Sequence, residues 1–282
     1  MGKKTVRSRI FRCCVYTICI VLALISLYPF FIMFLNATRS TSEIWQNPIP
    51  WLPSTYIFDN FRIIRDIGTF DALLGFRNSF IVAGGTTIVS IYVSSLTAFA
   101  LTAYNWKMRQ PFFTFIMAVM MVPAQILAIG YFTMVWRLDL VNNFLPLILP
   151  AMASPIVVFF MRQYLLATFQ IDIVNSARID GAREFRIFNQ IVLPMMKPAI
   201  ATQAIFIFVA SWNALFLPRI LLTDRDMFTM PLMVSLLQGN IYDTEFGVVY
   251  LGLTLSILPI FLVYFLLARY IIAGIQLGAV KG

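Results

Sequence analysis

Long apolar stretches alternate with short polar segments along this chain. A helix needs about 20 apolar residues to cross a lipid bilayer. Six stretches reach that length, and they cover residues 13–35, 80–104, 112–135, 144–166, 200–222 and 246–272. The loops between the middle stretches are short, so consecutive helices must pack as antiparallel neighbours. The pattern predicts an all-α polytopic membrane protein with six transmembrane helices and both termini on one side.

Two polar segments are longer than a simple turn. Residues 36–79 contain Pro48, Pro50 and Pro53, which interrupt regular helix, so we expect an external cap of short helices there. Residues 167–199 form a long loop on the opposite side. The composition is that of a chain embedded in lipid, with 60% apolar residues, 12% charged residues and a mean hydropathy of +0.85. We therefore predict a single transmembrane domain over 1–282.

Basic residues are concentrated on one side of the predicted spans. Lys and Arg near helix ends are retained in the cytoplasm. The side of the N-terminus holds Lys3, Lys4, Arg7, Arg9, Arg12, Lys107, Arg109, Arg162, Arg178, Arg183, Arg186, Lys197, Arg269 and Lys281. Only three acids, Asp172, Asp180 and Glu184, accompany them, so both termini are predicted to be cytoplasmic. The net charge of +9 comes from basic residues that flank the predicted spans. It therefore indicates contact of the protein with membrane lipid and not with nucleic acid.

The composition excludes several common chemistries. The chain has no histidine, which removes most metal sites, most general bases and the usual catalytic triads. It has no GxxxxGK[ST] loop, so another chain must bind any ATP and magnesium that are used. No predicted span carries the buried acid that a proton- or sodium-driven carrier requires. We expect a non-catalytic membrane subunit, with no metal and no cofactor of its own, that receives energy from a partner.

The loop over 167–199 has the pattern of two helices joined by a tight turn. We expect a first helix through Ile173–Asp180 with Asp172 as its N-cap. Gly181 supplies the backbone freedom for the turn. A second helix is expected over Arg183–Val192 and should end near Pro194.

The surface of this loop combines basic residues with apolar ones. Ile179, Phe185, Phe188 and Ile191 are the expected apolar anchors. Such a knob is suited to insertion into the cleft of a partner protein. The alternative is an amphipathic helix that only lies on the lipid surface.

The spacing of the loop resembles the cytoplasmic coupling motif of ABC importer permeases. Asn175-Ser176-Ala177 is followed by three residues, Gly181, nine residues, and Ile191-Val192-Leu193-Pro194. The rest of the chain resembles the smaller permease of maltose-type carbohydrate importers. The pieces that carry this resemblance are Ala177–Ala182, Leu52-Pro53, Asp59-Asn60-Phe61, Asn78-Ser79, Met121-Val122-Pro123, Trp212-Asn213 and the tail Gly278–Gly282. The resemblance implies the type I ABC importer permease fold in a prokaryotic inner or plasma membrane.

The resemblance also implies a function and a set of partners. It implies import of a disaccharide or oligosaccharide by a heterodimer with a second, homologous permease. Two ATP-binding subunits would hold ATP and magnesium, and an external solute-binding protein would deliver the sugar. Two alternatives stay open: a permease of the same motif family that imports peptides, amino acids or another small solute, and a stand-alone carrier or scaffold.

The resemblance assigns the contact with the ATPase to specific positions. These are Asn175, Ser176, Ala177, Arg178, Asp180, Gly181, Ala182, Ile191, Leu193 and Pro194. The family pattern begins with Glu-Ala where this chain has Asn175 and Ser176. A charged contact with an arginine of the ATPase would therefore become a neutral hydrogen bond.

Two further groups of polar residues are weaker candidates. The loop over 224–245 is a possible contact for the binding protein through Gln238, Asn240, Tyr242 and Asp243, or an ordinary solvated loop. Polar or aromatic groups in or near spans are possible pathway-lining residues, or simple helix packing. They are Gln125, Tyr131, Gln203, Trp212 and Asn213.

Overall fold

The computed structural model describes residues 2–68, 70–239 and 244–279, with side chains for 11–68, 70–123, 126–239 and 244–266. The described residues form helices and connecting loops, with no β-strand among them, which confirms the all-α prediction. The α-helices are α1 (Gly2–Asn36), α2 (Thr41–Gln46), α3 (Ile57–Asp66), α4 (Ala72–Ala103), α5 (Arg109–Val119), α6 (Ala124–Arg137), α7 (Leu145–Ile148), α8 (Pro155–Thr168), α9 (Ile171–Ile179), α10 (Glu184–Ile187), α11 (Leu193–Met195), α12 (Lys197–Trp212), α13 (Phe216–Leu221), α14 (Met230–Leu236) and α15 (Phe246–Ala279). Leu149–Ala153 and Arg225–Met227 are 3₁₀ turns, and Phe188–Val192 is a π turn.

Three of the described helices are long and apolar enough to cross a membrane alone. They are Phe11–Asn36, Ala72–Ala103 and Phe246–Leu266. Two bent pairs are further candidates: Leu145–Ala153 with Pro155–Thr168 at 41°, and Glu184–Met195 with Lys197–Trp212 at 79°. If each pair is one span, length and composition give up to five spans in the described part of the chain. The count of six and the cytoplasmic termini remain predictions.

Three predicted spans are interrupted in the structure. The stretch 144–166 is divided at Ser154, between the 3₁₀ turn Leu149–Ala153 and α8. The stretch 112–135 is divided between α5 and α6 at residues 120–123. Pro123 has no amide hydrogen and disfavours helical geometry at the residue before it, so the helix stops and restarts there. The stretch 200–222 is divided between α12 and α13. Pro218 cannot donate a backbone bond to the turn before it, which favours a fresh helix start.

The described residues divide into two compact units. The first contains Met1–Phe70 and Val234–Ser256. Between α1 and α4 it holds two short helices, and α2 begins with a capping box. The Ser40 hydroxyl accepts from the Glu43 amide at 3.3 Å, and the Glu43 carboxylate accepts from the Ser40 amide at 2.8 Å. This reciprocal pairing fixes the start of α2.

A buried asparagine organises the rest of this unit. The Asn60 side chain donates to the carbonyls of Ala37 and Arg39, at 2.9 and 3.0 Å. Gly247, in the first turn of α15, packs against the same backbone. A Cβ at Gly247 would lie 2.1 Å from the Arg39 carbonyl oxygen, so only glycine fits this approach.

The second unit contains Asp71–Met233 and Ile257–Gly282 and is built around α4. Helices α8 and α12 both pack against α4. Small residues at helical spacing, Ala83, Ser90, Ser94 and Ala98, are buried along it and allow this close packing. α4 starts earlier than the predicted span because the Asp71 side chain accepts from the Leu74 amide and caps the helix.

A pair of polar residues ties α4 to the segment before α14. The Asn78 amide group donates to the carbonyls of Asp226 and Phe228 at 2.8 and 3.0 Å. The Ser79 hydroxyl accepts from the Met230 amide at 2.8 Å. The Asn78-Ser79 pair seen in the sequence therefore satisfies backbone groups of a loop that would otherwise lack partners.

Candidate functional site

The loop over 167–199 forms two helices joined by a glycine turn, as the sequence predicts. α9 spans Ile171–Ile179 and ends in a Schellman motif, with Gly181 at φ +79°. The Gly181 amide donates to the Arg178 carbonyl and the Ala182 amide to the Ala177 carbonyl, both at 3.0 Å. The expected role of Asp172 is wrong: the N-cap is Gln170, and Asp172 lies in the first turn of the helix. Its charge there still complements the helix dipole.

The second helix of the loop differs from the prediction. It starts as α10, widens into the π turn over Phe188–Val192, and continues as α11. The helical run ends at Met195, so the predicted end near Pro194 is correct, although Pro194 itself still lies in the last turn. The π turn shifts the backbone bonding register, as shown by the Leu193 amide donating to the Phe188 carbonyl, and this accommodates a residue without an amide hydrogen. The chain bends by 79° on entering α12.

The inner face of the loop is packed into the core of the second unit. Val174 and Ala177 of α9 and Ile187 and Phe188 of the second helix are buried in one apolar cluster. Val192, Met196 and Ala199, toward the end of the loop, belong to the same cluster. The bundle helices contribute its remaining buried members: Ile91, Ala98 and Phe99 of α4 and Val157, Met161 and Leu165 of α8. The loop is thus fixed to the bundle by side-chain packing.

The outer face of the loop is exposed and mixed in character. Ile179 is 86% exposed and Phe185 is 69% exposed, so both are available as apolar anchors. Phe188 is 1% exposed, and Ile191 packs against the core cluster, so these two expected anchors are structural.

A shallow pocket of about 350 Å³ opens on this outer face. It is lined by Ala177, Asp180, Gly181, Ala182, Arg186, Ile187, Gln190 and Ile191. Among the other motif positions, Asn175, Ser176 and Pro194 are exposed, and Leu193 packs against the core cluster.

A polar cluster that the sequence did not indicate joins the loop to the end of α4. The Arg178 guanidinium donates to both carboxylate oxygens of Glu184, at 2.7 and 3.2 Å. The Tyr104 hydroxyl, just beyond α4, donates to the same carboxylate, and Arg178 lies over the Tyr104 ring at 5.4 Å. Arg178 also donates to the Asn175 side-chain oxygen at 3.1 Å. Asn175 is thus held by an arginine of its own chain.

The cluster has a defined charge state at neutral pH. The hydrogen bonds from Arg178, and then the bond from Tyr104, hold the pKa of the Glu184 carboxyl below its ordinary value. A lowered pKa means that the folded loop prefers the carboxylate over the acid. The contribution of these bonds is therefore present at neutral pH and is lost as the pH falls through that lowered pKa.

We expect Glu184→Gln to weaken the connection between α4 and the loop. The chain should still reach the membrane, because the cluster is exposed and the apolar anchoring is untouched. Transport-linked ATP hydrolysis should fall about two- to fivefold, in line with the loss of an exposed ion pair. Asp172→Asn is the matched control, since it makes the same change on α9 outside the cluster. Equal losses in both variants, measured in reconstituted membranes, would contradict a specific role for Glu184.

The weaker candidates are placed as follows. Trp212 is 1% exposed and packs with Phe76, Phe80 and Phe208, at 5.0 to 6.4 Å between ring centroids, so it acts here as a packing residue. Asn213 is exposed at the end of α12, and the Tyr131 hydroxyl donates to the Pro146 carbonyl. Gln238 is exposed. Asn240, Tyr242 and Asp243, and the side chain of Gln125, lie outside the described residues.

A groove of about 820 Å³ in the second unit contains polar groups without partners. Its polar lining is Thr86, Ser90, Ser154, Gln203 and Ser211, and the rest is apolar. The hydroxyls of Thr86 and Ser90 are buried and have no hydrogen-bond partner in the described structure. Of these residues only Gln203 was indicated by the sequence. The spacing of Thr86 and Ser90, four residues apart on an apolar helix, is a sequence signal for those two residues.

The 167–199 loop, packed against the bundle, and the mostly apolar groove both lie largely within the part of the chain that matches a known family. Residues 90–276 match the family described as "Binding-protein-dependent transport system inner membrane component". The chain belongs to this family. It is a membrane-embedded permease subunit of an ABC transport system.

The permease is similar over nearly its full length to curated relatives. It is 36% identical to the arabinooligosaccharides transport system permease protein AraQ of Halalkalibacterium halodurans, over 93% of each chain. It is 32% identical to the lactose transport system permease protein LacG of Rhizobium radiobacter, over 98% of this chain and 99% of that one. It is 29% identical to the sn-glycerol-3-phosphate transport system permease protein UgpE of Pectobacterium atrosepticum, over 88% and 90%.

A solved structure has the same fold as this permease. It is the crystal structure of a bacterial ABC transporter involved in the import of the acidic polysaccharide alginate. One of its chains matches with a TM-score of 0.79 and 21% identity, over 94% of this chain and 98% of that chain. The expected fold of an ABC importer permease is confirmed.

Proposed function

We propose that this permease forms half of the translocation pathway of an ATP-driven importer for a neutral disaccharide or oligosaccharide. The observation that carries the substrate class is the nearly full-length similarity to permeases named for arabinooligosaccharides and lactose. The same similarity disfavours peptides and amino acids.

The chemistry of the groove supports a neutral solute. Sugar hydroxyls both donate and accept hydrogen bonds, and the half-buried hydroxyls of Ser154 and Ser211 and the amide of Gln203 offer both functions. No charged side chain lines the described groove. A phosphate ester or an acidic polysaccharide would call for arginine or lysine along its path. This favours a neutral saccharide over the solutes named for UgpE and for the alginate importer.

The energy source in this proposal is a pair of ATP-binding subunits that hold ATP and magnesium. The outer face of the 167–199 loop would dock in a cleft of one of them, with Ile179 and Phe185 as apolar anchors. A second, homologous permease would complete the pathway, and an external solute-binding protein would deliver the sugar. Closing of the ATPase pair would displace the loop, and the bundle would follow because the two share one core cluster.

Uptake assays with the assembled importer test the substrate class. Membranes that contain the complete system should accumulate a labelled neutral saccharide from a panel of pentose and hexose oligomers. Uptake of sn-glycerol-3-phosphate or amino acids in preference to every saccharide would overturn the assignment.

We expect Gln203→Leu to impair sugar passage without disturbing assembly. The substitution keeps the volume of the side chain and removes its hydrogen-bonding amide, which is worth about 0.5–1.5 kcal/mol. The sugar concentration for half-maximal uptake should rise about two- to tenfold. Thr202→Val is the matched control, because the Thr202 hydroxyl donates to the Pro198 carbonyl on the same helix and does not line the groove. An unchanged uptake curve for Gln203→Leu would remove this residue from the pathway.

A further inference from the structure

Two arginines on neighbouring helices, Arg109 of α5 and Arg162 of α8, lie close to each other. Arg109 is the first residue of α5, and Phe113 lies one helical turn further along the same face. The Arg162 guanidinium of α8 lies over the Phe113 ring at 4.2 Å. The Phe113 ring also stacks with Phe159, one turn before Arg162, at 6.5 Å between centroids. These contacts bring the two positive charges to one edge of the α5–α8 pair.

This pair of charges lacks a counterion within the described structure. No carboxylate there lies within 4.0 Å of either guanidinium. The Nε of Arg162 is buried and has no hydrogen-bond acceptor, while Arg109 makes one long bond of 3.4 Å to the Tyr104 carbonyl. The two guanidinium groups also repel each other. Both arginines are half-buried, and one buried donor without an acceptor beside two charges without a counterion favours an anion at this place.

The surroundings of this pair are apolar and exposed. Trp106 and Phe112 lie beside Arg109 with ring centroids 5.9 Å apart, and both are exposed, as is Phe115. Tryptophan and other aromatics at helix ends commonly sit at the headgroup level of a bilayer. In the first turn of α5 the amides of Arg109 and Phe112 donate to the carbonyls of Trp106 and Met108, and the turn has no side-chain cap, so a bound anion depends on the two guanidinium groups. The pair lies at the same end of the bundle as the 167–199 loop, since Tyr104 contacts both Arg109 and Glu184.

We propose that Arg109 and Arg162 bind the phosphate of an anionic phospholipid headgroup at this edge. The required chemistry is a phosphate oxygen that accepts from both guanidinium groups, which suits the planar, forked donors of arginine. Free phosphate shares that chemistry. The exposed aromatic side chains select the lipid, because acyl chains cover them and a free ion does not.

Lipid binding to the purified permease tests the site. The chain, isolated in detergent and stripped of lipid, is titrated with phosphatidylglycerol or phosphatidylcholine and followed by native mass spectrometry. We expect wild type to retain phosphatidylglycerol in preference to phosphatidylcholine. Arg109→Gln combined with Arg162→Gln should weaken the phosphatidylglycerol interaction about tenfold or more, as expected for two charge-assisted bonds. Arg137→Gln, at the far end of α6, is the matched control and should bind like wild type.

Other outcomes would overturn the proposal. Equal retention of the two lipids by wild type would do so without any variant. So would unchanged phosphatidylglycerol binding in the double variant. A third arm adds inorganic phosphate to wild type in phosphatidylcholine. In this arm the temperature of unfolding is measured with inorganic phosphate and, separately, with phosphatidylglycerol. If inorganic phosphate raises that temperature to the same extent as phosphatidylglycerol, the ligand is a free ion and the lipid assignment fails. Arg162→Lys, which keeps the charge and loses the flat contact with Phe113, should give an intermediate affinity.

Discussion

Replacing Gly181 with proline should abolish uptake and release the ATPase while the permease stays in the membrane. Proline fixes φ near −65°, whereas Gly181 has φ +79°. The change also removes the amide that donates to the Arg178 carbonyl. The resulting penalty, about 3 kcal/mol or more, falls on the turn between α9 and α10. Co-purification of the ATP-binding subunit and uptake of labelled sugar are the two readouts.

Gly68 provides a matched control for this experiment. It also has a positive φ, +65°, and an added Cβ would meet no atom within 4 Å at either glycine. Gly68→Pro therefore imposes a similar backbone conflict outside the 167–199 loop. It should keep the ATPase bound. If both variants lose the ATPase, the effect is general misfolding. If Gly181→Pro transports normally, the loop is not the coupling element.

Replacing Ala177 with arginine should also abolish uptake and release the ATPase, as expected for Gly181→Pro, but for a different reason. Ala177 is buried on the inner face of α9 and belongs to the core cluster that fixes the loop. An arginine must either push into that cluster or fill the 350 Å³ pocket beside it. Overpacking alone costs about 1–3 kcal/mol, and burial of an unpaired charge adds to it. The second route blocks the surface on which we expect the ATPase to dock.

The Ala177 prediction is measured by the same two readouts, together with the amount of permease in the membrane. Ala177→Ser is the matched control, because it adds one small polar atom at the same position and should keep at least most of the uptake. Normal uptake by Ala177→Arg would remove this position from the coupling surface.

The sequence predicted the helical class and the glycine turn of the loop because both depend on local patterns. The length of an apolar run is enough to identify a helix that crosses lipid. The turn depends on a glycine just after the end of α9, where Gly181 and Ala182 form the two hydrogen bonds of a Schellman motif. The breaks before Ala124 and after Trp212 were missed, although Pro123 and Pro218 mark them. Apolar composition continues through both breaks and hides them.

The features that the sequence does not indicate depend on tertiary packing. Tyr104 and Glu184 meet across 80 residues, and no periodicity in the sequence indicates that. Phe188 and Phe185 are both aromatic residues of the same helical run, yet one is in the core and the other is exposed. Phe185 precedes the π turn and lies outside the buried face formed by Ile187, Phe188 and Val192, so apolar character alone does not identify the exposed anchors. Trp212, a candidate lining residue by sequence, is in contact with three phenylalanines.

The shared core cluster limits how far the 167–199 loop can be treated as an interchangeable part. Engineers who exchange such loops between importers to change the ATPase would move Val174, Ile187 and Phe188 without the residues of α4 and α8 that receive them. A transplanted loop would then face a surface shaped for other side chains. For this permease, compatibility with an ATPase therefore depends partly on the buried residues of α4 and α8. A functional exchange of the loop has to include those residues.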